Sequence, residues 1–147
     1  MKMFGKPNWS HYLIKYVFMF WFGGATYASI EVITRERSHW SMIILGGICF
    51  LCLGEINKVL PWKMPLTLQM LIGCLLITSL EFITGCIVNL KLGLDVWDYS
   101  NLPFNFMGQI CLSASIVWFF LSAVGIFLFD YLDYWFFKGE KPQYKLF

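Results

Sequence analysis

Four long stretches without charged residues limit what this sequence can fold into. The charged residues lie in clusters, and the uncharged runs between them cover residues 16–30, 38–54, 64–80 and 99–129. When flanking residues that a membrane span tolerates are added, these runs predict helices near residues 12–33, 40–57, 66–90 and 106–129. Each helix has roughly 18–25 residues, or about 27–37 Å, which matches a hydrocarbon core of about 30 Å.

The composition agrees with a membrane protein, because only 14% of the residues are charged, against about 25% in soluble domains. Lipid offers the backbone no hydrogen-bond partners, so such long apolar runs must be helices. We therefore predict an all-α integral membrane protein of one domain. Its bundle of four transmembrane helices has an ordered outer loop between helices 3 and 4 and an interfacial C-terminal tail over residues 131–147.

The distribution of Lys and Arg predicts the orientation in the membrane. Four spans place both termini and the loop near residue 60 on one face, which carries eight lysines. The opposite face carries three basic residues, Arg35, Arg37 and Lys91. Because cytoplasmic loops are enriched in Lys and Arg, both termini should lie in the cytoplasm.

Charged residues inside the spans are the strongest candidates for function, because a carboxylate in hydrocarbon is costly and usually faces a partner or a wet cavity. Glu31 lies near the outer end of helix 1, and Arg35 follows at the i,i+4 spacing that allows an ion pair. Glu81 is the deepest charge, about 13 Å from the outer end of helix 3.

Helix 4 is predicted to carry a matching polar stripe, formed by Asn105, Gln109 and Ser113. If the stripes of three helices converge, they form an outward-opening pocket. Its predicted members are Glu31, Glu81, Arg35, Asn105, Gln109 and Tyr27. Two interpretations stay open: a hydrogen-bonded network that fixes the helices, or a site for a ligand or ion.

The loop between helices 3 and 4 is compact, aromatic and contains proline. Asp98 is suited to accept backbone N–H groups of a turn near Ser100, and Asn105 is predicted to N-cap helix 4. The segment fits an ordered lid on the outer face. A plain interfacial turn anchored by Trp97 and Tyr99 is the alternative.

Several motifs in the second half of the chain resemble a known family. Residues 80–85 read Leu-Glu-Phe-Ile-Thr-Gly, residues 97–100 read Trp-Asp-Tyr-Ser, and Pro103-Phe104-Asn105, residues 108–112 and Trp118 follow. This pattern resembles the CmpB-like family of small bacterial membrane proteins, described as ABC-transporter permeases. The resemblance implies a bacterial cytoplasmic-membrane protein with Glu31, Glu81, Asp98 and Asn105 as candidate functional positions.

The function predicted from these observations is that of a transport-related membrane protein, a permease subunit whose outward-facing pocket receives a small polar or cationic solute. Its candidate substrate-binding residues are Glu31, Arg35, Glu81, Asp98, Asn105 and Gln109. The alternative is a non-transporting accessory or scaffold protein whose buried polar residues only lock helix packing.

The predicted partners are membrane lipid, together with an ATPase, another membrane subunit or further copies of the chain. An ATPase would have to be a separate chain, because the sequence has no G-x-x-x-x-G-K-[ST] loop for ATP. No nucleophile–base pair or metal-ligating set is apparent. We therefore expect no enzymatic activity, no metal, no cofactor and, given a net charge of +2, no nucleic-acid partner.

Overall fold

A computed structural model describes residues 8–147 and contains four helices long and apolar enough to cross a membrane. They are α1 (Trp9–Arg35), α2 (Trp40–Val59), α3 (Leu66–Gly85) and α4 (Leu112–Phe136), and α3 continues as a π-helical turn over Cys86–Lys91. The prediction of an all-α membrane bundle is confirmed. Lys2 and Lys6, which contribute to the charge count, lie outside the described residues.

The central helix of the bundle is α2, which packs against each of the other three helices, while α3 also packs against α4. Its buried apolar side chains are the largest contribution of any helix to the core. By contrast, α1 rests almost entirely on α2 and makes little backbone approach to α4. This arrangement leaves a groove between α1 and α4 in the middle of the bundle.

Small residues bring α1 and α2 close together. A Cβ atom on Gly24 would lie 2.5 Å from the carbonyl oxygen of Ile43, and one on Gly46 would lie 2.6 Å from the Cβ of Tyr27. Lipid gives no hydrophobic driving force between helices, so close packing at such glycines is what holds a membrane interface together.

The beginning of α4 differs from the prediction. The helix begins at Leu112, not near residue 106, because residues 105–111 form a two-stranded antiparallel hairpin of β1 (Asn105–Phe106) and β2 (Ile110–Cys111). Met107 and Gly108 in its turn have left-handed backbone angles, with φ of 55° and 69°. A helix cannot pass through such residues, so Asn105 and Gln109 do not share a helical stripe with Ser113.

The end of α4 also differs from the prediction, since the helix continues over residues 131–136 and ends at Phe136. Two carboxylates near this end are neutralised or hydrogen-bonded: Asp133 pairs with Lys15 at 2.7 Å, and Asp130 accepts from Asn57 at 2.7 Å. Residues 137–147 then fold back across the same end of the bundle, where the Tyr144 hydroxyl donates to Asp130 at 2.8 Å.

The close α1–α2 contact gives a test of the packing. Replacing Gly24 with Leu should lower the free energy of unfolding by about 1–3 kcal/mol, because the added side chain meets the backbone of α2 and cannot be accommodated by a rotamer change. Thermal unfolding of the purified protein in detergent measures the effect. Ala25→Leu is the matched control, because Ala25 is exposed on the lipid side of the same turn; equal stability of the two variants would contradict the packing.

Candidate functional site

The first part of the site is an ion pair on α1. The Arg35 Nη1 atom lies 3.8 Å from the Glu31 Oε1 atom, so the pairing expected from the i,i+4 spacing is confirmed. The Tyr27 hydroxyl donates to the same Glu31 oxygen at 3.0 Å. Glu31 is buried, whereas the Arg35 side chain is 41% exposed, so the pair connects the interior with the surface.

The second part is the Glu81 carboxylate on α3, which is almost completely buried. The Tyr99 hydroxyl donates to its Oε1 atom at 2.8 Å, and the Trp118 indole N–H donates to its Oε2 atom at 3.0 Å. Each carboxylate oxygen therefore has a donor, one from the loop after α3 and one from α4. Within residues 8–147 no Lys, Arg or His nitrogen lies within 4.0 Å of this carboxylate.

Tyr99 joins the two parts. Its hydroxyl accepts from the Arg35 Nη2 atom at 3.4 Å while it donates to Glu81, and the Arg35 guanidinium lies 5.9 Å from the centre of its ring. The connected set will be called the hairpin-end network. Its members are Tyr27, Glu31, Arg35, Glu81, Tyr99 and Trp118.

Burial and the neighbouring Glu81 raise the pKa of the Tyr99 phenol above its ordinary value. The phenol therefore stays protonated at neutral pH and keeps the hydrogen that it donates to Glu81. The network contains two carboxyl groups, those of Glu31 and Glu81, and one guanidinium, that of Arg35. The arrangement favours an additional positive charge.

A cleft of about 320 Å³ opens beside the network at the end of the bundle that carries the hairpin. Glu31, Arg35, Tyr27, Tyr99 and Trp118 line it, together with the first turn of α4. Three aromatic rings and a carboxylate around a small space are the features that bind organic cations elsewhere.

The family follows from comparison with known proteins. The family model described as "Putative ABC-transporter type IV", the CmpB model, matches residues 12–143. The chain belongs to this CmpB family. The match covers all four helices and the hairpin, so the resemblance noted in the sequence is confirmed. No solved structure matches the chain.

Two other predicted site residues of this CmpB-family protein organise the loop. The Asp98 carboxylate accepts from the backbone N–H of Ser100 at 2.8 Å and from its hydroxyl, which confirms the predicted turn; these bonds lower the pKa of the exposed carboxyl. Asn105 does not N-cap α4, whose N-cap is Cys111. Its exposed amide instead donates to the Leu102 carbonyl at 2.8 Å.

Gln109 is buried below the hairpin but lies outside the hairpin-end network. Its side-chain oxygen accepts from Asn89 at 2.9 Å, and its amide nitrogen donates to the Met107 carbonyl at 3.0 Å. The Trp97 indole donates to its backbone carbonyl at 3.0 Å. Gln109 therefore fixes the loop onto the end of α3. The predicted pocket residues that the structure brings together are Tyr27, Glu31, Arg35 and Glu81.

Sequence reasoning missed the roles of Tyr99 and Trp118 in this CmpB-family site. Tyr99 was expected only as an interfacial anchor, and Trp118 entered only through the family motif. The available signal was that a buried Tyr hydroxyl or Trp N–H needs an acceptor, and Glu81 is a carboxylate that needs donors.

A second polar cluster lies at the opposite, terminal end of the bundle and was not predicted. Lys15 is buried and its pairing with Asp133 is reinforced by Lys58, whose Nζ atom lies 3.6 Å from Asp133. The terminal-end cluster comprises Lys15, Asn57, Lys58, Asp130, Asp133 and Tyr144. The signal was the i,i+3 spacing of Asp130 and Asp133, which places both carboxylates on one face of α4.

Removing the Tyr99 hydroxyl tests the network. Tyr99→Phe should lower the free energy of unfolding by about 1–3 kcal/mol, because one buried oxygen of Glu81 loses its donor. Chemical denaturation in detergent or nanodiscs measures the change. Tyr134→Phe serves as the control, since the Tyr134 hydroxyl makes no hydrogen bond within the described residues and the ring is 40% exposed. A Tyr99→Phe variant as stable as this control would show that the bond contributes nothing.

Proposed function

We propose that the protein is the membrane-embedded permease subunit of a transport system and that its hairpin-end cleft binds a small polar or cationic solute. The four membrane-spanning helices and the CmpB family support a transport-related, multi-pass membrane protein. The observation that carries the finer proposal is the excess of buried carboxylate beside the cleft, where Glu31 and Glu81 face one guanidinium.

The side chains of the cleft favour a cation over an anion. Glu31 lines the cleft, and its Oε2 atom accepts no hydrogen bond from the described residues. Arg35 is already engaged by Glu31 and Tyr99. The rings of Tyr27, Tyr99 and Trp118 line the cleft, and aromatic rings attract a positive charge. A solute with an ammonium group would meet both a carboxylate oxygen and aromatic walls.

The proposal also names the membrane, the orientation and the partners of this subunit. We propose a bacterial cytoplasmic membrane with both termini in the cytoplasm. The excess of lysine on the face that carries both termini supports this orientation. An ATPase or another membrane subunit would supply the energy, because the sequence has no P-loop. We propose binding and passage of a solute, with no chemical conversion.

A non-transporting accessory or scaffold role is the second candidate, and one observation favours it. Both oxygens of Glu81 and both side-chain polar atoms of Gln109 are already hydrogen-bonded. A saturated network is what a rigid helical framework needs, so in this case the cleft would bind no solute.

Binding of tetramethylammonium separates the two candidates. Saturation-transfer NMR on the protein in dodecylmaltoside micelles, which carry no ammonium group, should show saturable binding. The binding should be weakened at least tenfold in Glu31→Gln because the negative charge of the carboxylate is lost. Glu36→Gln, an exposed glutamate one residue past α1, should bind like the wild type. Absence of saturable binding, or equal binding by the two variants, would favour the scaffold.

A further inference from the structure

The groove between α1 and α4 contains an apolar cavity of about 110 Å³ in the membrane-spanning part of the bundle. Residues 22–30 of α1 and 118–128 of α4 form its two walls, and α2 forms its floor. Ile30 and Val124 are 40% and 50% exposed at its rim, so the cavity opens sideways toward lipid. Nearer the terminal end of the bundle, the ion pair between Lys15 and Asp133 joins α1 to α4.

This cavity adjoins the charged cleft. Tyr27, Ile30, Trp118 and Leu121 line both spaces, and the rings of Tyr27 and Trp118 lie 5.7 Å apart at their junction. The combined space is therefore amphipathic: it is polar and acidic at the hairpin end and apolar toward the middle of the membrane.

Glu81 is the charged residue that lines the apolar cavity. A carboxylate that faces hydrocarbon is costly unless a partner compensates it. Its described partners are two neutral donors, the Tyr99 hydroxyl and the Trp118 N–H, and neither cancels the charge. An occupant with a positive group at this position and an apolar remainder would satisfy the charge and fill the groove.

We propose that the α1–α4 groove binds an amphiphilic amine that enters from the bilayer, with its ammonium group between Glu31 and Glu81 and its alkyl chain between Phe22 and Leu128. This inference rests on the proposed function, because it names the chemical class of the cation that the hairpin-end cleft accepts. Charge complementarity selects the amine, since a neutral lipid chain would fill the groove but bring no positive charge to Glu31 and Glu81.

Photo-crosslinking tests this proposal. The protein is placed in nanodiscs of a digalactosyl diacylglycerol lipid, which has no ammonium group, with a dodecylamine that carries a diazirine in its chain. The matched dodecanol probe is used in parallel. The amine should label residues 22–30 and 118–128 at least five times more than the alcohol, as read by peptide mass spectrometry. Equal labelling by the two probes, or labelling spread over the exposed face of α3, would overturn the proposal.

Substitutions test separately how the ammonium group and the alkyl chain of the probe are bound. Glu81→Gln should reduce the preference for the amine to less than twofold, whereas Glu36→Gln should keep it. Val124→Trp should reduce labelling by both probes because the new ring fills the groove, while Ile116→Trp, at an exposed α4 position outside the cavity, should not. Unchanged labelling in Val124→Trp would contradict the proposed position of the alkyl chain. The comparison of amine with alcohol in the wild type does not require that any variant folds.

The outcome is distinct from that of the tetramethylammonium experiment. If tetramethylammonium binds at the cleft but the amine shows no preference for the groove, the proposed function stands and this inference is wrong. If the amine labels the groove and tetramethylammonium does not bind, the amphiphile site stands and the site for a small solute is wrong.

Discussion

The buried carboxylate of Glu81 is the group around which the hairpin end of this protein is built. Lipid cannot solvate it, so the chain must bring donors to both of its oxygens. Tyr99 and Trp118 do so from the loop after α3 and from α4, and Tyr99 connects the carboxylate to the Glu31–Arg35 pair of α1. The need to satisfy this one buried carboxylate thus explains why the loop packs against α1, α3 and α4.

The helix packing determines whether the hairpin-end network lies in a closed core or beside an opening. Because α2 holds the other three helices and α1 does not pack along α4, the network lies beside an opening and not inside a closed core. The small residues bring one side of α1 onto α2, and another side of α1 forms one wall of the groove. A polar site that opens toward lipid is therefore a consequence of where the glycines lie.

Much of the fold could be predicted from local patterns, and much of the site could not. Helix number and the Glu31–Arg35 pair follow from hydropathy and i,i+4 spacing. The partners of Glu81 lie 18 and 37 residues away in the chain, and no local period encodes such contacts. The run from 99 to 129 appears continuous by hydropathy, although Pro103 and Gly108 are signals for a hairpin before α4. Likewise, the charge of Asp130 predicts the end of a span, whereas its hydrogen bond with Asn57 lets the helix continue and depends on the tertiary fold.

The central claim is that Tyr99 couples Arg35 to Glu81, two charged groups that are not in direct contact. A double-mutant cycle with Arg35→Gln and Glu81→Gln, measured as free energies of unfolding in nanodiscs, tests it most directly. The account predicts a coupling energy of about 0.5–3 kcal/mol that decreases when the same cycle is measured in a Tyr99→Phe background. Additive effects of the two substitutions with Tyr99 present would contradict the account.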